Sequence, residues 1–211
     1  MMRQKSVLLS SLIVLAFVVG CTPAPVEDEA PVETPQQEEE EADHEHPHHQ
    51  DDEEEAGVLG MKARAMVYDG EGELIGEVHF EQTEAGVAVQ GRIEGQEPGP
   101  KGFHVHEHGV CDPPDFMGAG SHFNPAGHPH GGPHDDAEER HAGDFGNLEF
   151  DEDGVAEFSF VDDVITLGAG KNNVVGQALI VHVQEDDLVS QPVGDAGGRA
   201  GCGLIEEVHE D

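Results

Sequence analysis

The sequence lacks tryptophan, has one tyrosine (Tyr68), and has only nine lysine and arginine residues against forty-six aspartate and glutamate residues. The core therefore has to rest on aliphatic side chains and on nine phenylalanines. A formal net charge of −37 would repel the phosphate backbone, which excludes nucleic acid as a partner. One long hydrophobic run is present, Val7 to Val19, and it is shorter than the roughly 20 residues that a membrane-spanning helix needs.

This hydrophobic run has the features of a secretory signal. Arg3 and Lys5 precede it, and it leads into the sequence VVGC, which resembles a bacterial lipobox. We expect residues 1–20 to be a signal peptide and Cys21 to carry a lipid that holds the protein on a membrane. The expected location is the periplasm or the cell surface, with the outer membrane favoured by Thr22. The alternative is an ordinary signal peptide in which the cysteine occurs by chance.

Residues 21–57 have the composition of a disordered tether. From residue 22 onward they contain fifteen acidic residues, no lysine or arginine, and repeated proline, so they have little to bury. The stretch HEHPHH at residues 44–49 has a composition typical of Cu2+ or Zn2+ binding. The alternative is a solvated linker that happens to be rich in histidine.

Residues 58–211 are long enough for one domain with its own core. They hold thirty-one acidic and seven basic residues. If Cys21 carries lipid, Cys111 and Cys202 remain as a pair in an exported domain, and such a pair predicts one disulfide bond.

The domain shows a two-residue hydrophobic period, which predicts strands with one solvent-exposed face. Leu74, Val78 and Phe80 alternate with polar residues, and so do the apolar residues of 87–94 and 156–160. Turn signals, Asp-Gly at 69–70 and at 153–154, lie between such runs, and no run predicts a helix longer than 135–140. These patterns predict an antiparallel β-sandwich or barrel. Two segments without periodicity, 109–143 and 186–198, are predicted to be functional loops.

Histidines are concentrated in and around these loops. His104 and His106 are two residues apart on a predicted strand, so their rings project from one face, and His182 ends another strand. The first loop adds further candidate ligands, namely His122, His128, His130, His134, His141 and Asp144. So many imidazoles, without free thiols, favour Cu(II) and Zn2+ over softer metals.

Six motifs, in this order along the chain, resemble those of the copper–zinc superoxide dismutase family. They are GFHVHE at 102–107, SHFNP at 121–125, HGGP at 130–133, RHAGD at 140–144, LIVH at 179–182 and GCG at 201–203. The resemblance covers residues 62–206. It implies an all-β fold, an eight-stranded antiparallel Greek-key barrel or sandwich with two long functional loops. It also implies disproportionation of superoxide to oxygen and hydrogen peroxide by a redox-cycling copper with a zinc-bridged histidine.

The resemblance implies a role for each matching residue. The copper ligands would be His104, His106, His122 and His182, and the zinc ligands would be His122, His130, His141 and Asp144. Asp186 would link ligands of the two metals, and Arg199 would attract the anionic substrate beside copper. Cys111 and Cys202 match the family disulfide, in agreement with the cysteine count. The resemblance leaves open whether the protein is a monomer or a homodimer.

Some features depart from the familiar pattern. Two other histidines, His128 and His134, could compete with His130 for zinc. The second loop has no lysine over residues 188–196. Arg199 and Lys171 are then the positive charges left to attract an anionic substrate to a strongly acidic domain. We therefore expect turnover to respond unusually to ionic strength. His108 is expected to alter a surface or subunit contact. The alternatives to an enzyme are a copper carrier on the same fold and a structural surface lipoprotein.

Overall fold

The structure is a computed structural model that describes residues 57–209. The expected signal peptide, the lipid site at Cys21 and the histidine-rich stretch at residues 44–49 lie outside the described residues. No helix within residues 57–209 is long and apolar enough to cross a membrane.

Eight strands form one antiparallel sheet, as the family resemblance implies. They are β1 (Lys62–Asp69), β2 (Leu74–Thr83), β3 (Gly86–Glu94), β4 (Gly99–His106), β5 (Asp144–Phe150), β6 (Val155–Asp162), β7 (Ala178–His182) and β8 (Arg199–Glu207). Their order in the sheet is β5-β4-β7-β8-β1-β2-β3-β6. The end strands β5 and β6 approach each other, with the Phe145 and Phe160 ring centroids 5.3 Å apart. The sheet is therefore a nearly closed barrel, and the predicted fold class is confirmed.

The barrel interior is filled by the inward-facing residues of the alternating strands. Val87, Val89 and Ile93 of β3 are fully buried, as their spacing predicts. In β2 the assignment of Leu74 to the core was wrong, because Leu74 is 51% exposed and Ile75 is buried in its place. The register against β1 shifts at this end of the strand, and a shift of one residue turns a side chain to the opposite face.

Two long loops cover the outer face of β4 and β7. The first connects β4 to β5 and contains a short 3-10 helix, Met117–Ala119, whereas residues 135–140 form turns and no helix. The second connects β7 to β8. Because the loops cover the outside of these strands, every residue of β7 is buried although only one of its faces points into the barrel.

A small apolar cluster fixes the first loop to the barrel wall. It consists of Phe116, Ala119, Ala178, Ile180 and Cys202, with Cys111 packed against it. Cys111 and Cys202 are joined by a disulfide, with their Cα atoms 5.6 Å apart, which confirms the predicted pair.

Candidate metal centre

Strands β4 and β7 place three histidines on the outer face of the barrel. On β4, Phe103 and Val105 point into the core, so His104 and His106 point outward. His182 ends the neighbouring strand β7. The loop brings in the fourth histidine, because His122 forms an isolated antiparallel bridge with His106.

These four histidines form a buried group whose ligand-capable atoms lie within 4.8 Å of one another. Three of the rings are held at one nitrogen: His104 Nε2 lies 2.6 Å from Asp186 Oδ2, His106 Nδ1 lies 3.0 Å from Gly120 O, and His182 Nδ1 lies 3.3 Å from Gly197 O. The other nitrogens meet in the centre, where His106 Nε2 and His182 Nε2 are 3.3 Å apart. Within residues 57–209, the buried atoms His104 Nδ1 and His122 Nε2 have no hydrogen-bond partner.

A second group, again within 4.8 Å, is built around Asp144 and also includes His122, His130 and His141. Asp144 Oδ1 lies 2.7 Å from His122 Nδ1 and 3.2 Å from His141 Nδ1. Its other oxygen, Oδ2, lies 3.0 Å from His130 Nδ1 and accepts hydrogen bonds from the main-chain N–H groups of Gly131 and His141. His122 thus belongs to both groups, one ring nitrogen in each.

Asp186 connects the two groups through a second pair of contacts. Its Oδ2 holds His104 of the first group, and its Oδ1 lies 2.9 Å from His130 Nε2 of the second. The main chain of Asp186 is held by Asn147 of β5 through two hydrogen bonds of 2.8 Å. Gly194 passes so close to this carboxylate that an added Cβ would lie 1.8 Å from Asp186 Oδ1, so any side chain there would displace it.

Burial favours the neutral form of three histidines of the first group, His106, His122 and His182. It lowers the pKa of His122 to about 4, although Asp144 works in the opposite direction, and the pKa of His182 to about 3. It also lowers the pKa of His106, with help from His122 and His182. Neutral imidazoles keep a free lone pair at pH 7, which is the form that binds a metal ion.

The second group is built to hold positive charge. Burial lowers the pKa of His130, but the close carboxylates of Asp144 and Asp186 outweigh it and raise the pKa to about 9. Burial likewise opposes ionisation of the two carboxyl groups. Hydrogen bonds from histidines nevertheless hold the pKa of Asp144 and that of Asp186 below the usual range. Two buried carboxylates facing three imidazoles create a site that a divalent cation would neutralise.

Arg199 borders the first group at the start of β8. Its position in the sheet is opposite His182. Its Nη1 donates a hydrogen bond to Phe116 O, and its Nη2 donates one to Gly120 O, the same carbonyl that contacts His106. Burial lowers its pKa, an effect that the neighbouring Asp115 partly offsets. The first loop therefore holds a guanidinium group beside the four histidines.

The remaining histidines of the first loop lie outside both groups. His128 Nδ1 lies 2.7 Å from Ala137 O, and His134 is exposed, so the structure brings His130 and neither of these to Asp144. His108 is also exposed, 3.7 Å from Glu107. Sequence reasoning missed three residues that hold members of the site by hydrogen bonds, namely Arg140, Asn147 and Gln191. Arg140 stood inside a quoted motif, but no local pattern marks the other two.

Residues 74–205 match the family described as copper/zinc superoxide dismutase (SODC). A solved structure of the clock protein EA4 is 39% identical to this chain, with a TM-score of 0.64, and the match covers 72% of this chain and 98% of that protein. A SOD-like protein from Bacillus subtilis, solved as a double mutant, is 33% identical, with a TM-score of 0.63, over 68% of this chain and 96% of that one. A second mutant of a SOD-like protein from Bacillus subtilis is 32% identical, with a TM-score of 0.63 and coverages of 68% and 97%.

Proposed function

We propose that this chain, which belongs to the copper/zinc superoxide dismutase family, disproportionates superoxide to oxygen and hydrogen peroxide. The observation that carries the proposal is the pair of buried ligand groups that share His122, with Arg199 at the edge of the first. The ability of these two groups to hold metal ions rests on the geometry of the ligand atoms alone.

The two groups fit different metals. Four imidazoles, His104, His106, His122 and His182, suit copper, which accepts nitrogen ligands in both of its common oxidation states. Three imidazoles and one carboxylate, His122, His130, His141 and Asp144, suit zinc, which favours four ligands of this kind. The two unpartnered nitrogens in the first group, His104 Nδ1 and His122 Nε2, support this fit because buried polar atoms normally have a partner.

The chain's own residues would prepare the substrate for reaction. Copper, when bound, would supply one-electron chemistry by alternating between two oxidation states. Arg199, held by Phe116 O and Gly120 O, would offer its remaining N–H donors to a small anion beside the four histidines.

His122 would also carry a proton and deliver it to the product. Its Nδ1 is held by Asp144, so the ring orientation is fixed and Nε2 points into the first group. A proton carried on Nε2 would be delivered to the departing peroxide. Two superoxide anions and two protons give one oxygen and one hydrogen peroxide, so the reaction balances with proton uptake from water.

The test is superoxide disproportionation by the purified full chain, with bound copper and zinc counted on the same sample. We expect one copper, one zinc and a rate close to the diffusion limit, about 10^8 to 10^9 M⁻¹s⁻¹. His122→Ala should abolish the activity, whereas His79→Ala, an exposed histidine on β2, should leave it unchanged. Two bound metals without activity would support the copper-carrier function and contradict the enzyme.

We further propose that a lipid on Cys21 holds the protein at a bacterial membrane, in the periplasm or at the cell surface. The support is the basic and apolar run that ends in VVGC. Cys21→Ser should move the protein from the membrane fraction to the soluble fraction and abolish labelling with a radioactive fatty acid. Unchanged fractionation and labelling would contradict the lipid.

A further inference from the structure

Two residues of the second group, His122 and His130, lie in the first loop away from any strand in sequence. His122 is held by its bridge with His106, whereas His130 has no such bridge within residues 57–209. Its ring contacts two carboxylates, Asp186 Oδ1 at Nε2 and Asp144 Oδ2 at Nδ1. Contacts at the ring do not fix the main chain of His130, and a shift of that main chain would move Nδ1 with it. The position of Nδ1 therefore depends on what holds the main chain of His130.

One side chain of the other loop holds that main chain at both of its polar groups. The N–H of His130 donates to Gln191 Oε1 over 2.8 Å, and Gln191 Nε2 donates to His130 O, also over 2.8 Å. Gln191 Nε2 additionally lies 3.3 Å from Val189 O of its own loop. A single carboxamide thus pairs with a residue of the first loop in the manner of a neighbouring β-strand.

The second loop is itself tied to the barrel. Asn147 of β5 holds the N–H and the C=O of Asp186 through two hydrogen bonds of 2.8 Å. Asp186 and Gln191 belong to this loop and contact His130 at the ring and at the main chain. A continuous chain of contacts therefore runs from β5 through the second loop to His130.

We propose that Gln191 is a positioning residue for the second ligand group: it fixes the His130 main chain and so directs His130 Nδ1 toward Asp144. The inference rests on the proposed function, because it takes the second group as the zinc site. Gln191 touches neither the substrate nor the metal; it acts through His130. Partners that orient ligands in this way typically change metal affinity by about 10- to 100-fold when they are removed.

The experiment measures zinc and copper affinity separately in the metal-free full chain, by chelator competition with each metal alone. Gln191→Met keeps the length of the side chain and removes both hydrogen bonds to His130. It should raise the zinc Kd by about 10-fold or more and change the copper Kd much less, because His104, His106 and His182 do not depend on Gln191. Gln191→Ala should give the same selective loss.

The matched control is Gln184→Met in the same loop. Gln184 is exposed, and within residues 57–209 its side chain makes no hydrogen bond, so both affinities should stay at the wild-type value. Equal zinc affinity in the Gln191 and Gln184 variants would overturn the inference alone. Equal losses of zinc and copper would assign Gln191 a merely structural role and overturn it as well. Failure of the wild-type chain to bind zinc would overturn the proposed function together with the inference.

Discussion

At the scale of single residues, the site consists of rings that the protein holds at one nitrogen and leaves open at the other. Asp186, Gly120 O and Gly197 O hold three rings of the first group from outside. Such contacts fix the tautomer and the orientation of each imidazole before any metal arrives. The same principle extends to Arg199, whose donors are directed by two main-chain carbonyls.

Replacement of Arg199 should slow the reaction selectively. Arg199→Met removes the positive charge beside the four histidines, and we expect the second-order rate constant for superoxide to fall by about 10-fold or more. The rate constant of Arg199→Lys should lie between those of the wild type and Arg199→Met, because an ammonium group keeps the charge and loses the planar fork of donors. The control is Arg92→Met, which changes the net charge equally but lies on the outer face of β3. Equal rates in Arg199→Met and Arg92→Met would contradict the role.

The stability of the metal-free protein should fall in acid. The pKa of His122 is about 4 and that of His182 about 3 in the folded protein, both lowered by burial from about 6.5. A lowered histidine pKa means that the unfolded chain binds more protons below pH 6.5. This contribution to stability is therefore complete above about pH 6.5 and is lost as the pH falls toward 4. His130, with a pKa raised to about 9, stays protonated in the folded protein throughout this range. It opposes the loss of stability near pH 6.5, where the unfolded chain takes up its proton, and has no further effect once both states are protonated at lower pH.

Each of the two histidines contributes up to about 1.4 kcal/mol per pH unit to this loss. The measurement is urea unfolding of the metal-free chain at pH 7.0, 6.0 and 5.0 in the same buffer salt. His182→Gln should reduce the slope by about one proton. A free energy of unfolding that stays flat from pH 7 to pH 5 would contradict burial of neutral imidazoles.

At the scale of structural elements, the two loops depend on the barrel wall for their shape. The disulfide and the apolar cluster around Phe116 fix the start of the first loop. Arg140 fixes its end: the side chain is buried, its Nη1 donates to Asp144 O, and its Nη2 donates to Asp162 Oδ2 at the end of β6. Asp162 Oδ1 in turn accepts the main-chain N–H groups of Val164 and Ile165.

Removal of Asp162, the buried partner of Arg140, should destabilise the protein strongly. Asp162→Asn leaves a buried guanidinium without its carboxylate, and we expect the free energy of unfolding to fall by about 3 to 5 kcal/mol. The natural control is Asp163→Asn, because Asp163 lies 3.6 Å from the same Nη2 but is 83% exposed. This control should change stability by less than about 1 kcal/mol. Equal losses in the two variants, measured by denaturant unfolding, would contradict the importance of burial.

At the scale of the whole molecule, charge is the dominant property. Residues 58–211 carry thirty-one acidic and seven basic residues, while the substrate of the proposed reaction is an anion. Repulsion from exposed carboxylates acts over long distances, whereas Arg199 acts beside the ligand group. Screening removes long-range effects first, because the Debye length is about 10 Å at 0.1 M salt.

The rate of superoxide disproportionation should therefore rise with ionic strength. We expect an increase between about 0.01 M and 0.2 M sodium chloride, followed by a decline when the attraction of Arg199 is also screened. The measurement is the second-order rate constant by stopped flow or pulse radiolysis at constant pH. A steady fall from the lowest salt concentration would mean that attraction by Arg199 dominates. A flat profile would contradict a role for either charge.

The sequence by itself determined the architecture and the chemical class of the site. A period of two along the chain is a local property, so strands such as β3 and β6 could be placed from side-chain alternation alone. The cysteine count predicted the pair Cys111 and Cys202 that the structure joins. The ordered motifs indicated the family that the match over residues 74–205 shows.

Tertiary structure decided the geometry of contacts between distant parts of the chain, and it supplied those that neither the cysteine count nor the family resemblance indicated. Asp186 meets His104 across 82 positions and His130 across 56, and Gln191 meets His130 across 61. A loop without periodicity carries no local signal for such contacts. Only the family resemblance favoured His130 over His128 and His134, and packing places His130 beside Asp144. The exposure of Leu74 could not be predicted for the related reason that a register shift depends on the neighbouring strand. Local alternation is encoded by adjacent residues. Ligand geometry, in contrast, is fixed only when the loops pack on the strands and form their hydrogen bonds.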